Sequence, residues 1–126
     1  MKEIIKTKNA PAPIGPYNQA IKAGNTIYIS GQIPLIPSTM ELFSGTIKEE
    51  TELVMESLKA ILKEAGMTFE NVVKTTIFID DMNNFQHVNE VYGNYFKDAS
   101  APARETVAVK TLPKSVRIEI SMIAVV

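Results

Sequence analysis

The run VVKTTIFI, Val72 to Ile79, restricts what this chain can become more than any other segment. It is dominated by β-branched residues, which fit a pleated, buried strand far better than a helix. Helical patterns flank it on both sides. Upstream, Thr46-Ile47-Lys48-Glu49 has capping-box spacing, with threonine at the cap and glutamate three residues on. Ile47, Val54, Leu58, Ile61, Leu62 and Ala65 then recur as one apolar stripe, while Glu50, Glu52, Glu56, Lys59 and Lys63 form the solvated face. Gly66 marks the helix end, as a left-handed cap. Downstream, a second helix runs from Asn83 or Asn84 to Phe96 and points Phe85, Val88, Tyr92 and Phe96 inward.

The remaining segments read as strands. Ile4 and Ile5 form a short first strand, and Gly24-Asn25 turns a hairpin between Gln19–Lys22 and Thr26–Ser30. Asn9 to Pro16, NAPAPIGP, is an extended loop stiffened by its prolines, and residues 34–45 are loop as well. Two last strands, Glu105–Lys110 and Val116–Val125, are joined through Leu112-Pro113-Lys114. The order β-β-β-α-β-α-β-β predicts an α+β fold, a mixed β-sheet with two helices packed on one face. The opposite face still carries Tyr28, Val107 or Ala108, and Ile123 or Met122. A sheet face that apolar needs a partner, so an oligomer is expected.

Composition narrows the function. A chain of 126 residues is one domain, residues 1–126. It has no cysteine, which removes disulfides, thiolate metal sites and a thiol nucleophile. With a single histidine, His87, no usual transition-metal cluster can be assembled, and no metal or cofactor is expected. A formal charge of −1 argues against a nucleic-acid surface. No apolar run spans a bilayer and the N-terminal segment is not that of a signal peptide, so a cytoplasmic protein is expected.

Thirteen residues are basic, yet only Arg104 and Arg117 are arginines. Arg104 directly follows Pro102-Ala103 at the mouth of a strand, a place for a planar, bidentate anion receptor that lysine cannot imitate. Alternation puts Thr106 on its side of the strand and Glu105 on the other. Glu119 lies in the following strand, read as the partner, with Arg117 and Ser121 on its face. Two readings stay open: a plain cross-strand ion pair, or a carboxylate clamp at Arg104 with a water-handling acid or base at Glu119. Tyr17 either points a phenol into a site or plugs the core. Asn89 sits on or near the inward face of the second helix, where a buried amide needs partners. His87 falls one turn off that face and is excluded.

PAR at 102–104, the Leu-Pro-Lys turn and IEI at 118–120 resemble the C-terminal signature of the Rid/YjgF family. APAPIGPYNQAI, YISGQIPL, LKAILKEAG and VVKTTIFIDDMNNFQHVN resemble other family segments, in family order, so the likeness covers essentially the whole chain. It implies a chorismate-mutase-like (YjgF-like) fold and a homotrimer with clefts between subunits. It also implies a cofactor-free deaminase that hydrolyses 2-imino acids, such as 2-iminobutanoate and 2-iminopropanoate, to 2-oxo acids and ammonia. Arg104 would bind the substrate carboxylate and Glu119 would place the water. Tyr17, Ser30, Gly31, Asn89 and Thr106 would line the cleft. The alternatives are a 2-oxo acid-binding regulatory protein without turnover, and an endoribonuclease or translation inhibitor. Glu105-Thr106 stand where close family members have serine-cysteine, and Ile36 and Met40 make the loop after SGQIP more apolar than usual.

Overall fold

The computed structural model describes residues 1–126. The strands are β1 (Lys2–Ile5), β2 (Ala20–Ala23), β3 (Thr26–Gln32), β4 (Val72–Ile79), β5 (Ala103–Ala108) and β6 (Ile118–Val125). Two α-helices, α1 (Ile47–Glu64) and α2 (Phe85–Gly93), follow β3 and β4 respectively. The β-branched run becomes β4, paired with β6 on one side and β5 on the other in a six-stranded sheet of order β1-β2-β3-β6-β4-β5. Only the β4–β5 pair is parallel. A parallel neighbour requires a crossover, and α2 supplies it.

The start of α1 is set by the box read from the sequence. Thr46 Oγ1 accepts from the Glu49 amide at 3.1 Å, and the Glu49 carboxylate accepts from the Thr46 amide at 2.9 Å. Its end is set at Gly66, whose φ of +74° only glycine adopts without strain. Between these ends Val54, Met55, Leu58, Ile61 and Leu62 are buried against Ile77, Ile79, Ile118, Ile120 and Met122 of the sheet. Each such side chain contributes roughly 1.5–3 kcal/mol by leaving water. The other sheet face is uncovered. Met122 belongs to the core, so it is Ile123, opposite Tyr28 in register, that shares the open face with Tyr28 and Val107.

Several boundaries differ from the sequence expectation. Strand β5 begins at Ala103, because Ala103 and Arg104 already pair with Lys74 and Thr75. Strand β6 begins only at Ile118. The Pro113–Ser115 turn carries Lys114 and Ser115 at φ 56°, and Val116 packs with Ile33, Leu35 and Leu112 in a small separate cluster. Helix α2 ends at Gly93, ahead of Asn94, both poor helix residues. Phe96 keeps its inward contact from outside the helix, its ring 4.7 Å from that of Tyr92.

Two readings are corrected. Glu50 is not part of the solvated face: it is 6 % exposed, and its carboxylate accepts from Arg117 Nε at 3.1 Å and Nη2 at 2.8 Å. Arg117 also donates to the Gly45 carbonyl, so its side chain is drawn to the start of α1 and does not share the face of Glu119 and Ser121. A fork that satisfies two acceptors at once explains why this second position is also arginine.

Candidate active site

Arg104 projects from β5 onto the helix-covered side of the sheet. There α2 offers Phe85, Asn89 and Tyr92, spaced i, i+4 and i+7 and therefore on one stripe of the helix. The guanidinium carbon lies 4.9 Å from the centre of the Tyr92 ring and 5.7 Å from that of Phe85. Its Nη1 donates to Asn89 Oδ1 at 2.7 Å. Asn89 is exposed, not buried as expected, and its partner is the arginine. Nε and Nη2 of Arg104 meet no acceptor within the chain, so the edge that grips a carboxylate in two parallel hydrogen bonds is free.

Glu119 belongs to a different place. Alternation along β6 sends Ile118 and Ile120 into the core and Glu119 to the opposite face. Its carboxylate lies over the backbone of Gly31, at a register irregularity between β3 and β6. A methyl group built on Gly31 would collide with Glu119 Oε2 and stand 2.7 Å from Cδ. The glycine is therefore what admits the carboxylate. Glu119 faces a cleft of about 270 Å³ whose lining includes Ile14, Tyr17, Ser30, Gly31, Leu35 and Pro113. The carboxylate has no hydrogen bond and no cation beside it, and loss of water raises its pKa above the ordinary carboxylate value. A carboxylate so placed is suited to exchanging a proton with bound water.

The cleft wall is held by contacts already spent on the fold. Gln19 is buried; its Nε2 donates to the carbonyls of Thr7, Ala10 and Pro11, and its Oε1 accepts from the Thr7 amide. These bonds pin the proline-rich loop that carries Tyr17. Ser30 Oγ donates to the Asn18 carbonyl at 2.6 Å. Tyr17 does not plug the core: it is 46 % exposed, and its phenol oxygen accepts from the Ile14 amide at 3.3 Å.

The sequence-predicted residues thus fall into two groups. Tyr17, Ser30, Gly31 and Glu119 share the cleft, while Arg104 and Asn89 sit together on α2 and β5 with Thr106 two residues along. The expected adjacency of the Arg104 and Glu119 strands is corrected: β4 lies between β5 and β6, and the two side chains leave opposite faces. A cross-strand ion pair between them is excluded. Thr106 shares the face of Arg104, but its hydroxyl is buried without a partner, so its outward offering is the backbone of an edge strand. Glu105 points to the other face as expected, where it accepts from Lys74 Nζ and Thr76 Oγ1, each at 2.8 Å, well away from the guanidinium. These contacts hold its carboxyl below its usual pKa.

Sequence reasoning missed the aromatic surroundings of Arg104, because Phe85 and Tyr92 at helical spacing look like ordinary core. It also missed Gln19. The signal there was the loop's prolines, which remove amide donors and leave carbonyls in search of a side-chain partner.

Residues 7–126 match the protein family described as Endoribonuclease L-PSP. A RutC family protein of Pyrococcus horikoshii is 55 % identical over 124 residues, covering 98 % of both chains. A mouse protein named 2-iminobutanoate/2-iminopropanoate deaminase is 49 % identical over 125 residues, covering 99 % of this chain and 92 % of its own. Among solved structures, the Rid-family protein YyfA of Yersinia pestis superposes with a TM-score of 0.96 at 48 % identity, covering all of both chains.

Proposed function

This chain belongs to the Endoribonuclease L-PSP family, that of the Rid/YjgF proteins, and on that premise we propose that it is an imine hydrolase, converting 2-imino acids such as 2-iminobutanoate and 2-iminopropanoate to 2-oxo acids and ammonia. The observation that carries this reading is the division of labour in the site. One arginine keeps its bidentate edge free, and one unpaired, half-buried carboxylate faces a small, largely apolar cleft.

The two groups cannot address one substrate from within a single chain, since they leave opposite sheet faces. The reading therefore includes a homotrimer in which Arg104 of one copy completes the cleft of the next. The uncovered face bearing Tyr28, Val107 and Ile123 supports such an assembly, because closed symmetry covers it in every copy at once. Within the composite cleft, the Arg104 fork holds the carboxylate beside the C=N bond. Glu119 holds a water against the imine carbon and takes its proton as the oxygen adds. Glu119 passes that proton to the nitrogen to give the carbinolamine, then carries the hydroxyl proton to the same nitrogen as the C–N bond breaks, so that ammonia leaves and the C=O bond of the 2-oxo acid forms. The imine carbon is already electrophilic, so positioning and proton transfer are the work required of the protein. No helix is long and apolar enough to cross a membrane. The reading places the reaction in the cytoplasm.

The test couples the protein to a threonine dehydratase and follows 2-oxobutanoate formation while semicarbazide competes for the imine. Acceleration supports the hydrolase. Tight 2-oxobutanoate binding without acceleration favours a regulatory binding protein instead. The family's description favours a third reading, RNA cleavage, but a formal charge of −1 gives no field for a polyanion.

A further inference from the structure

Helix α2 carries a stripe whose apparent purpose is burial, yet three of its members surround one cation. Tyr92 is 5 % exposed, and its hydroxyl donates to Thr75 Oγ1 at 3.0 Å. Thr75 is fully buried on β4 and stands directly beside Arg104 in the parallel register. The ring is consequently fixed at its far end by the strand next to the arginine, with its body 4.9 Å from the guanidinium carbon. Phe85, half-buried one and a half to two turns earlier on α2, lies 5.7 Å from the same carbon. Asn89, between the two on the stripe, takes Nη1.

An arginine side chain has several rotatable bonds and loses much freedom when fixed. A guanidinium held by one hydrogen bond alone can still turn about that contact. Aromatic rings nearby restrict its plane through cation–π attraction without consuming any N–H donor. Asn89 consumes only Nη1. The combination therefore limits motion while sparing the Nε and Nη2 donors.

We propose that Tyr92, anchored by Thr75 and assisted by Phe85, is a positioning residue that holds Arg104 with its Nε–Nη2 edge presented to a substrate carboxylate. The inference deepens the imine-hydrolase reading and rests on it for the identity of the ligand. The order imposed on Arg104 is a property of the protein alone and can be measured without any ligand.

Because the chain has only two arginines, its Nε–Hε nitrogen-15 NMR spectrum contains two signals of interest. Arg117, bound to Glu50 and Gly45, serves as an internal control. In the wild type both should give order parameters of a fixed side chain. Tyr92→Leu should lower that of Arg104 toward a mobile value and leave Arg117 unchanged. Tyr92→Phe and Thr75→Val, which keep the ring and the packing, should lower it less. Alongside, 2-oxobutanoate affinity and KM should weaken roughly 2–30-fold in Tyr92→Leu, the range spanned by cation–π contacts, with a smaller change in kcat and substantial rescue in Tyr92→Phe. If Tyr92→Leu does not fold, Phe85→Leu, at a half-buried position, reports on the second ring by the same measurement. An Arg104 signal as ordered in Tyr92→Leu as in the wild type overturns the inference, as does unchanged order in Phe85→Leu should that variant be needed. Loss of Arg104 order in Tyr92→Leu, with a wild type that is ordered but binds no 2-oxo acid, would leave the positioning role standing and remove the imine-hydrolase reading.

Discussion

Gly31→Ala isolates the placement of Glu119 from its chemistry. Gly31 has no positive φ, so its backbone accepts alanine without strain. The new methyl would overlap the Glu119 carboxylate, with Cδ at 2.7 Å and Cγ at 2.9 Å, where carbon atoms prefer about 3.5–4.0 Å. The carboxyl carbon must move by roughly 1 Å, and the oxygen nearest the methyl by more. A misplacement of ~1 Å in a reacting group costs on the order of 10²-fold in rate. The obstacle is the mobile end of one side chain, so the fold should hold, and the loss of backbone freedom in the unfolded chain offsets part of any strain, by about 0.4–1 kcal/mol. The expected outcome is a kcat lowered about 10²-fold, a melting temperature within a few degrees of wild type, and 2-oxobutanoate binding through Arg104 largely kept. Deaminase assays with a coupled dehydratase, thermal melts and calorimetry on one preparation measure all three. Wild-type kcat in Gly31→Ala would refute the reasoning, since it would mean that the position of this carboxylate does not matter.

Other outcomes follow from the same geometry. Arg104→Lys should keep the fold but lose most turnover, because a point charge cannot reproduce the fork; near-normal kcat/KM would argue against the clamp. Glu119→Gln should lower the rate by about 10²–10⁴-fold at neutral pH. The same substitution should raise stability there. An isolated carboxyl whose folded pKa is raised by burial favours the fold at pH values below its unfolded pKa, and that contribution is lost as pH rises through the folded value. The gain in melting temperature should therefore vanish in acid below about the unperturbed 4.5, and a gain that persists there would contradict the sign. Arg117→Ala takes both guanidinium donors from the buried Glu50 carboxylate, leaving it only the Gly45 amide, and should cost about 2–3 kcal/mol in urea unfolding while sparing the cleft; a loss of activity with full stability would reverse this assignment.

The arrangement of elements was legible because each rests on a local signal: the β-branched run of β4, the capping box of α1, the turn at Gly24-Asn25. Alternation also separated Glu105 from Arg104 and Tyr28 from Ile27 and Ile29. Sequence order failed where strands follow one another without pairing. Strands β5 and β6 are consecutive in the chain, yet β4 is inserted between them, so Glu119 was read as a neighbour of Arg104 when it lies on the other face. Periodicity failed where a side chain satisfies two patterns. Glu50 falls among residues that alternate with the apolar stripe, and only the long-range approach of Arg117 makes its burial tolerable. Tyr92 and Phe85 fit a core stripe by spacing, and nothing in α2 itself announces the cation arriving from β5. Tyr17 leaves two readings open from its loop alone, and family likeness is what groups it with Ser30 and Gly31 in a cleft; their juxtaposition with Glu119 depends on the β3–β6 register and is not encoded locally.

The shared cleft is tested most directly by mixing two inactive variants. Arg104→Ala and Glu119→Ala chains are unfolded together at equal amounts, refolded, and assayed for imine hydrolysis against each variant refolded alone. If every cleft joins Arg104 of one copy to Glu119 of another, random assembly leaves about a quarter of the clefts with both groups intact. The account predicts recovery of roughly that fraction of wild-type activity. Mixed oligomers with no more activity than the separate variants would contradict it.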